Sequence, residues 1–253
     1  MTAQVNRLIA RFIALDVALV ATGARLAACT DSEALHDLRI VVRRLRSLLR
    51  PLRGLPGVET LEAVSAEVGR LSSPLRDLEV LAAELERTGQ VAAAERRRRA
   101  LARGYPRLLA APALSHLQHA LGQWPGLLRE ADREGLLRRG QKKVHRRLLR
   151  QRQRLQIALL DPAHDRHRLR LLVKRVRYAA EAWPQQLAVP VDALKAAQAA
   201  LGDWHDRLQW CRRAEAEEDL RPCLAHWQRE LAAAEVESDA ALLQLQQRLV
   251  RGI

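Results

Sequence analysis

The amino-acid sequence predicts an all-α protein. Leu, Ala, Arg, Gln and Glu dominate its 253 residues, and these residues favour helix, whereas aromatic residues make up only 3% of the chain. No segment alternates apolar and polar residues as a half-buried strand does, and no Asn-Gly turn marks a hairpin. Apolar residues make up 48% of the chain, which is enough to build a core in one large domain or two small ones.

Proline and glycine divide the helical pattern of the first half of the chain. The pattern predicts a first helix over about 3–28 and a second from a cap at Asp31 or Ser32 to about Arg50. A third is predicted over about 58–71, and a fourth from the cap pair Ser73-Pro74 to about Thr88. A fifth is predicted over about 91–103, and a sixth that ends near Trp124.

The second half begins with a long basic segment over 127–160, in which Gly135 and Gly140 are candidate breaks. Asp161-Pro162 predicts the start of a helix that runs through Trp183. Helices are then predicted over about 191–201, 204–219 and 222–250.

Two segments recur in the same order, which predicts an internal duplication. The run His36–Arg46 matches the run His167–Arg177, which lies 131 residues later. Leu75-Arg76-Asp77 matches Trp204-His205-Asp206 at an offset of 129. We therefore predict repeat halves of about 1–128 and 129–253, packed as one pseudo-symmetric domain over 1–253.

Each copy of the repeated run places its cations along one side of a helix, next to a separate apolar face. At 100° per residue, the cations of the first copy fall within an arc of about 80°. This first stripe consists of His36, Arg39, Arg43, Arg46 and Arg50. The second stripe takes the same angles and consists of His167, Arg170, Lys174 and Arg177. The predicted core face of the first helix contains Leu38, Val41, Val42, Leu45, Leu48 and Leu49, and that of the second contains Leu169, Leu172, Val173, Val176, Ala179, Ala180 and Trp183.

The charge pattern predicts an acidic partner. The chain has 43 Lys and Arg against 29 Asp and Glu, so its formal net charge is +14. A row of cations about one helical turn apart suits a linear chain of phosphates, because each guanidinium offers forked donors to phosphate oxygens. Next to phosphates the pKa of the leading histidines should rise, which would make them further donors. The basic run over 138–154 adds Lys143 and Arg147 to the candidate site.

The repeated motif resembles the two signature helices of the CHAD domain, the conserved-histidine α-helical domain. The segments HDLRIVVRRLRSLLR and HRLRLLVKRVRYAAE carry the resemblance, and LRDLEVL and LGDWHD resemble the two helices that follow them. Ser72-Ser73 stands where the family often has Leu-Gly. The chain lacks the Glu-x-Glu-x-Lys motif of the triphosphate-tunnel domain that many members carry, so we expect no hydrolase activity from such a domain.

The resemblance implies two pseudo-symmetric helical bundles with a basic central surface, which bind inorganic polyphosphate without catalysis. Carried over residue by residue, it implies a site composed of His36, Arg39, Arg43, Arg44, Arg46, His167, Arg170, Lys174, Arg175 and Arg177. Other polyanions are alternative ligands. We expect no metal or cofactor. The three cysteines are too few and too scattered for a disulfide framework or a zinc site, so we expect the protein to lie in a reducing cytoplasm. Association with polyphosphate granules is a further expectation.

Two other functions stay open at this point. The charge permits nucleic-acid binding, although no helix-turn-helix or RNA-recognition signature is visible. The doublets His36-Asp37 and His205-Asp206, together with His164 and His167, also permit a metal-dependent phosphohydrolase. Charged residues interrupt the apolar N-terminal stretch, so we predict neither a signal peptide nor a membrane span.

Some residues near the motifs are expected to hold the structure together. Tyr178 adjoins the second stripe, and we expect its hydroxyl to make a hydrogen bond between packed helices. Arg76 with Asp77, and His205 with Asp206, are expected to hold helices together or to orient the stripes.

Overall fold

The protein is described by a computed structural model that covers residues 3–29, 31–163 and 165–251. All regular structure within these residues is helical, which confirms the all-α prediction. The α-helices are α1 (Ala3–Ala28), α2 (Ala34–Leu49), α3 (Val58–Arg87), α4 (Val91–Leu109), α5 (Pro112–Arg133), α6 (Leu136–Leu159), α7 (Arg166–Ala182), α8 (Val191–Ala216) and α9 (Leu224–Arg251). Short 3₁₀ turns cover Arg50–Leu52 and Glu218–Cys223. No helix in the described part of the chain has both the length and the apolar character of a bilayer span.

The chain forms two compact units, Met1–Val144 and His145–Ile253. In the first unit, α2 packs between α1 and α3, and α5 packs against α1 and α3. Its core contains the ring pair Phe12 and Trp124, whose centroids lie 5.5 Å apart. Burial of these large apolar side chains stabilises the packing of α1 against α5.

In the second unit, α8 packs against both α7 and α9. The core of this unit joins apolar side chains from four helices, and its fully buried members include Leu155, Leu169, Val173, Leu194 and Leu245. In each unit a stripe-bearing helix, α2 or α7, packs against the longer helix that follows it, α3 or α8. The duplication itself stays a prediction.

Several predicted helix breaks are wrong, because helices continue through them. Pro74, Pro106 and Pro125 lie inside α3, α4 and α5, respectively. The candidate break Gly140 lies inside α6, and the predicted gap between the helices 191–201 and 204–219 lies inside α8. A proline removes one backbone hydrogen bond, and a helix that is packed along its length tolerates that loss. Gly135 is a true break, since it adopts a φ of 71° between α5 and α6.

Two predicted caps also differ from the structure. Asp165, rather than Asp161, caps α7, because its side chain accepts a hydrogen bond from the backbone N–H of His167 at 2.9 Å. Asp31 shapes the turn before α2 by accepting the N–H of Glu33 at 3.0 Å. Glu33 itself holds the N-cap position without a side-chain bond.

Candidate anion-binding site

The apolar face predicted for α2 is buried in the first unit. All six side chains assigned to it lie in the core. The five members of the first stripe are half-buried beside this face, whereas Arg44 is exposed on another side of the helix. Arg46 lies against α3, with its Nη1 3.6 Å from the position that a Cβ on Gly69 would take. The stripe is therefore recessed between helices rather than raised on the surface.

Arg39 joins the stripe to α3. Its Nη1 donates to the hydroxyls of Ser72 (2.9 Å) and Ser73 (3.0 Å) and to the carbonyl of Gly69 (3.3 Å). Ser73 also donates to the Gly69 carbonyl at 2.8 Å. Burial lowers the pKa of Arg39, and the carboxylate of Asp77 opposes that effect. Ser72 and Ser73 thus take part in positioning a stripe cation.

Arg76 of α3 adds a cation beside the first stripe. Burial lowers the pKa of His36, and the neighbouring charge of Arg76 lowers it further. Glu79 holds Arg76 at 2.9 Å and also accepts a hydrogen bond from the hydroxyl of Tyr105 at 2.7 Å. Arg76 is therefore fixed in place, and burial and the charge of Arg76 both favour the neutral form of His36.

The second unit repeats the same arrangement on α7. Of the predicted core face, all side chains are buried except Leu172, which is half-buried and packs against the core cluster. Arg170 and Lys174 are half-buried, and the Nε of Arg170 is shielded from solvent. His167 and Arg175 are exposed.

Arg177 is half-buried, and its charge is balanced on its own helix. Its Nη2 binds Glu181 at 2.8 Å, and its guanidinium lies 4.7 Å from the ring centroid of Tyr178. Tyr178 is buried, and its hydroxyl is 3.5 Å from Nη1 of Arg177. An anion at this position would have to compete with Glu181.

His205 of α8 lies beside the second stripe. Its ring centroid is 5.6 Å from that of His167. Burial lowers the pKa of His205 to about 4, and the charges of Arg170, Lys174 and Arg212 act in the same direction. Arg76 and His205 occupy matched positions at the offset of 129, so each unit places one basic side chain of the following helix beside its stripe.

The remaining predicted residues lie on α6 and at the end of α2. Lys143 is exposed in the first unit, and Arg147 is half-buried in the second. Arg50, the last member of the first stripe, lies in the 3₁₀ turn that follows α2 and is half-buried.

Comparison with known proteins assigns the family. The family model described as the CHAD domain matches residues 13–215. This chain belongs to the CHAD domain family. Among solved structures, the crystal structure of the CHAD domain from the plant Ricinus communis is similar, with a TM-score of 0.67 and 22% sequence identity over 97% of this chain and 91% of that one. No curated protein matches the sequence.

The geometry of this CHAD domain disfavours a metal site at the two His-Asp doublets. Asp37 is bound by Arg25 at 2.7 Å, and the charged neighbours of His36 include Arg76 and Arg43. His205 has three cationic neighbours, so a divalent cation would be repelled there. His164, which was part of the metal hypothesis, lies outside the described residues.

Three residues belong beside the stripes although the sequence interpretation left them out of the site. The charge of Arg76 acts on the stripe histidine His36, and the ring of His205 lies next to that of the stripe histidine His167. The charge of Arg212 acts on His205. The repeat offset was the available signal for Arg76 and His205, because it places them at equivalent positions. No comparable signal pointed to Arg212.

Proposed function

We propose that this CHAD domain binds inorganic polyphosphate without catalysing its turnover. The observation that carries the proposal is the repetition of one geometry. In each unit, half-buried cations at helical spacing lie between a buried apolar face and the next helix. The CHAD family is associated with polyphosphate binding in general, which supports the same ligand.

The recessed position of the stripes favours a thin, linear polyanion. A stripe of 14 residues extends for roughly 21 Å at 1.5 Å per residue. Arg43 and Lys174 occupy equivalent, half-buried positions in their stripes, where the lower local dielectric strengthens contacts with phosphate. A bare phosphate chain can approach such cations more closely than a polymer that carries sugars and bases.

The aromatic residues favour polyphosphate over single-stranded nucleic acid. Seven of the eight aromatic side chains are buried, and Tyr105 is half-buried with its hydroxyl bound to Glu79. Sequence-tolerant binders of single strands need aromatic rings on which bases can stack. In the described residues, no Phe, Tyr or Trp is exposed enough to provide such a platform.

The proposal is tested by two double variants with the same change in charge. Arg43→Ala with Lys174→Ala removes one half-buried cation from each stripe. Arg44→Ala with Arg175→Ala removes the adjacent exposed cation from the same two helices. The resemblance includes these two arginines in the site, but neither belongs to a stripe, so we propose that they do not bind the polymer and use them as the matched control. At moderate salt, we expect the first variant to weaken polyphosphate binding by roughly 10- to 100-fold and the control by less than about threefold.

Isothermal titration calorimetry with long-chain polyphosphate gives the affinities, and far-UV circular dichroism checks that both variants are folded. Equal losses in the two variants would contradict the stripe assignment. A competition between polyphosphate and duplex DNA at one salt concentration tests the ligand class, and preferential displacement by DNA would favour nucleic-acid binding instead. Release of orthophosphate from polyphosphate by the purified chain would contradict the non-catalytic part of the proposal.

A further inference from the structure

We propose that His205 is a phosphate-binding residue of the second unit and that it takes up a proton when phosphate binds. This inference rests on the proposed function, and it adds proton-linked binding that differs between the two units.

The His205 ring lacks a hydrogen-bond partner on one side. Its Nδ1 is buried and makes no hydrogen bond with any described residue. Buried polar atoms are nearly always hydrogen-bonded in native proteins, so an orphaned nitrogen beside a candidate site needs an explanation. A phosphate oxygen would accept a hydrogen bond from the protonated ring and would satisfy this atom.

The groups around His205 are cationic or basic. From α7, His167, Arg170 and Lys174 face it, and Arg212 faces it from its own helix. On α9, which also packs against α8, the carboxylate of Glu230 is bound to Arg207 at 3.5 Å and to His226 at 3.4 Å.

This environment keeps His205 neutral in the absence of a ligand, since burial and neighbouring cations both lower its pKa. A phosphate chain along the second stripe would reverse the electrostatic part of that balance. Its negative charge would favour the imidazolium form, so the ring would take up a proton on binding. By linkage, affinity at this unit should then rise as the pH falls.

The first unit has a permanent charge at the equivalent position. Arg76 stands where the second unit has His205, and Glu79 fixes its guanidinium at 2.9 Å. Because arginine keeps its proton over the whole accessible pH range, the first unit gains no proton-linked ligand at this position. Because His205 titrates and Arg76 does not, we expect the second unit to account for more of the pH dependence of binding than the first.

The experiment compares the full wild-type chain with His205→Gln and His205→Arg, and uses long-chain polyphosphate as the probe. His116→Gln, which removes an exposed histidine on α5, is the matched control. Titrations from about pH 8 to about pH 5, each in two buffers of different ionisation enthalpy, give the affinity and the number of protons taken up on binding.

We expect the wild-type affinity to gain about tenfold more than that of His205→Gln over this range, and to show greater proton uptake. His205→Arg should bind at high pH as tightly as the wild type does at low pH, and His116→Gln should behave as the wild type. Equal proton uptake by the wild type and His205→Gln would overturn the inference while leaving the proposed function intact. Absence of polyphosphate binding by the wild type at every pH would overturn both.

Discussion

The guanidinium of Arg39 on α2 donates a hydrogen bond to the hydroxyl of Ser73 on α3 at 3.0 Å. The contact lies one residue before Pro74, where α3 lacks a backbone donor. The same guanidinium also bonds the Gly69 carbonyl, so one stripe cation fastens α2 to the part of α3 that the proline weakens.

This contact predicts that Arg39 contributes to stability as well as to charge. Arg39→Ala should lower the free energy of unfolding by about 1–3 kcal/mol, because it leaves partly buried acceptors on α3 without their donor. Arg44→Ala, which removes an exposed arginine from the same helix, should change it by less than about 0.5 kcal/mol. Urea denaturation followed by circular dichroism measures both values. Equal effects would mean that the Arg39 contact does not stabilise α2 against α3.

Gly57 and Gly89 provide a matched pair of positive-φ glycines in the first unit. Their φ angles are 75° and 76°. A Cβ at Gly57 would lie 2.9 Å from Cδ1 of Leu127 and 3.1 Å from Cζ3 of Trp124, whereas one at Gly89 would meet no atom within 4 Å. Gly89→Ala should cost about 1–2 kcal/mol of backbone strain, and Gly57→Ala should cost about 1–3 kcal/mol more, because it also crowds the core. Thermal and urea unfolding of the two variants test this order.

We expect His36 and His205 to lower the free energy of unfolding in acid. Both have a folded-state pKa below the usual histidine value, that of His205 being about 4, so the folded protein favours their neutral forms. Their contribution is complete above the unfolded pKa of about 6.5 and is lost as the pH falls below that value. For His205 the loss extends to about pH 4.

His205→Gln should therefore lose less stability than the wild type between neutral pH and about pH 4.5, because it removes one of these groups. The measurement is the difference in urea-unfolding free energy between the two proteins at each pH. Parallel pH profiles would contradict the depressed pKa of His205.

Binding of polyphosphate should depend steeply on salt, because each neutralised phosphate releases counterions. A plot of log affinity against log salt concentration should lose about one unit of slope for each stripe cation removed. Arg43→Ala with Lys174→Ala should therefore flatten the slope by about two units, while Arg44→Ala with Arg175→Ala changes it less. If both double variants had the same salt slope, the stripe cations would contribute no more to phosphate binding than other surface charges.

Helical periodicity was enough to predict the core faces of the two stripe-bearing helices. The spacing of Leu38, Val42 and Leu45 defines one side of a helix, and the structure buries that side. The same reasoning failed at Pro74, Pro106 and Pro125, because the packing that carries a helix through a proline comes from other segments of the chain.

The basic side chains of α3 and α8 could be predicted only in part. The repeat offset placed Arg76 and His205 at equivalent positions, but it did not show that each lies beside a stripe histidine. That proximity depends on how α2 packs on α3 and α7 on α8, and single-sequence patterns do not contain crossing geometry. The burial of His205 Nδ1 is a tertiary property of the same kind.

Arginine footprinting with phenylglyoxal, read by mass spectrometry with and without saturating polyphosphate, tests most directly whether the stripes bind the polymer. We expect the polymer to protect Arg43 and Arg170, while Arg44 and Arg175 on the same two helices keep their reactivity. Equal protection of Arg44 and Arg175, or unchanged reactivity at all four positions, would contradict this expectation.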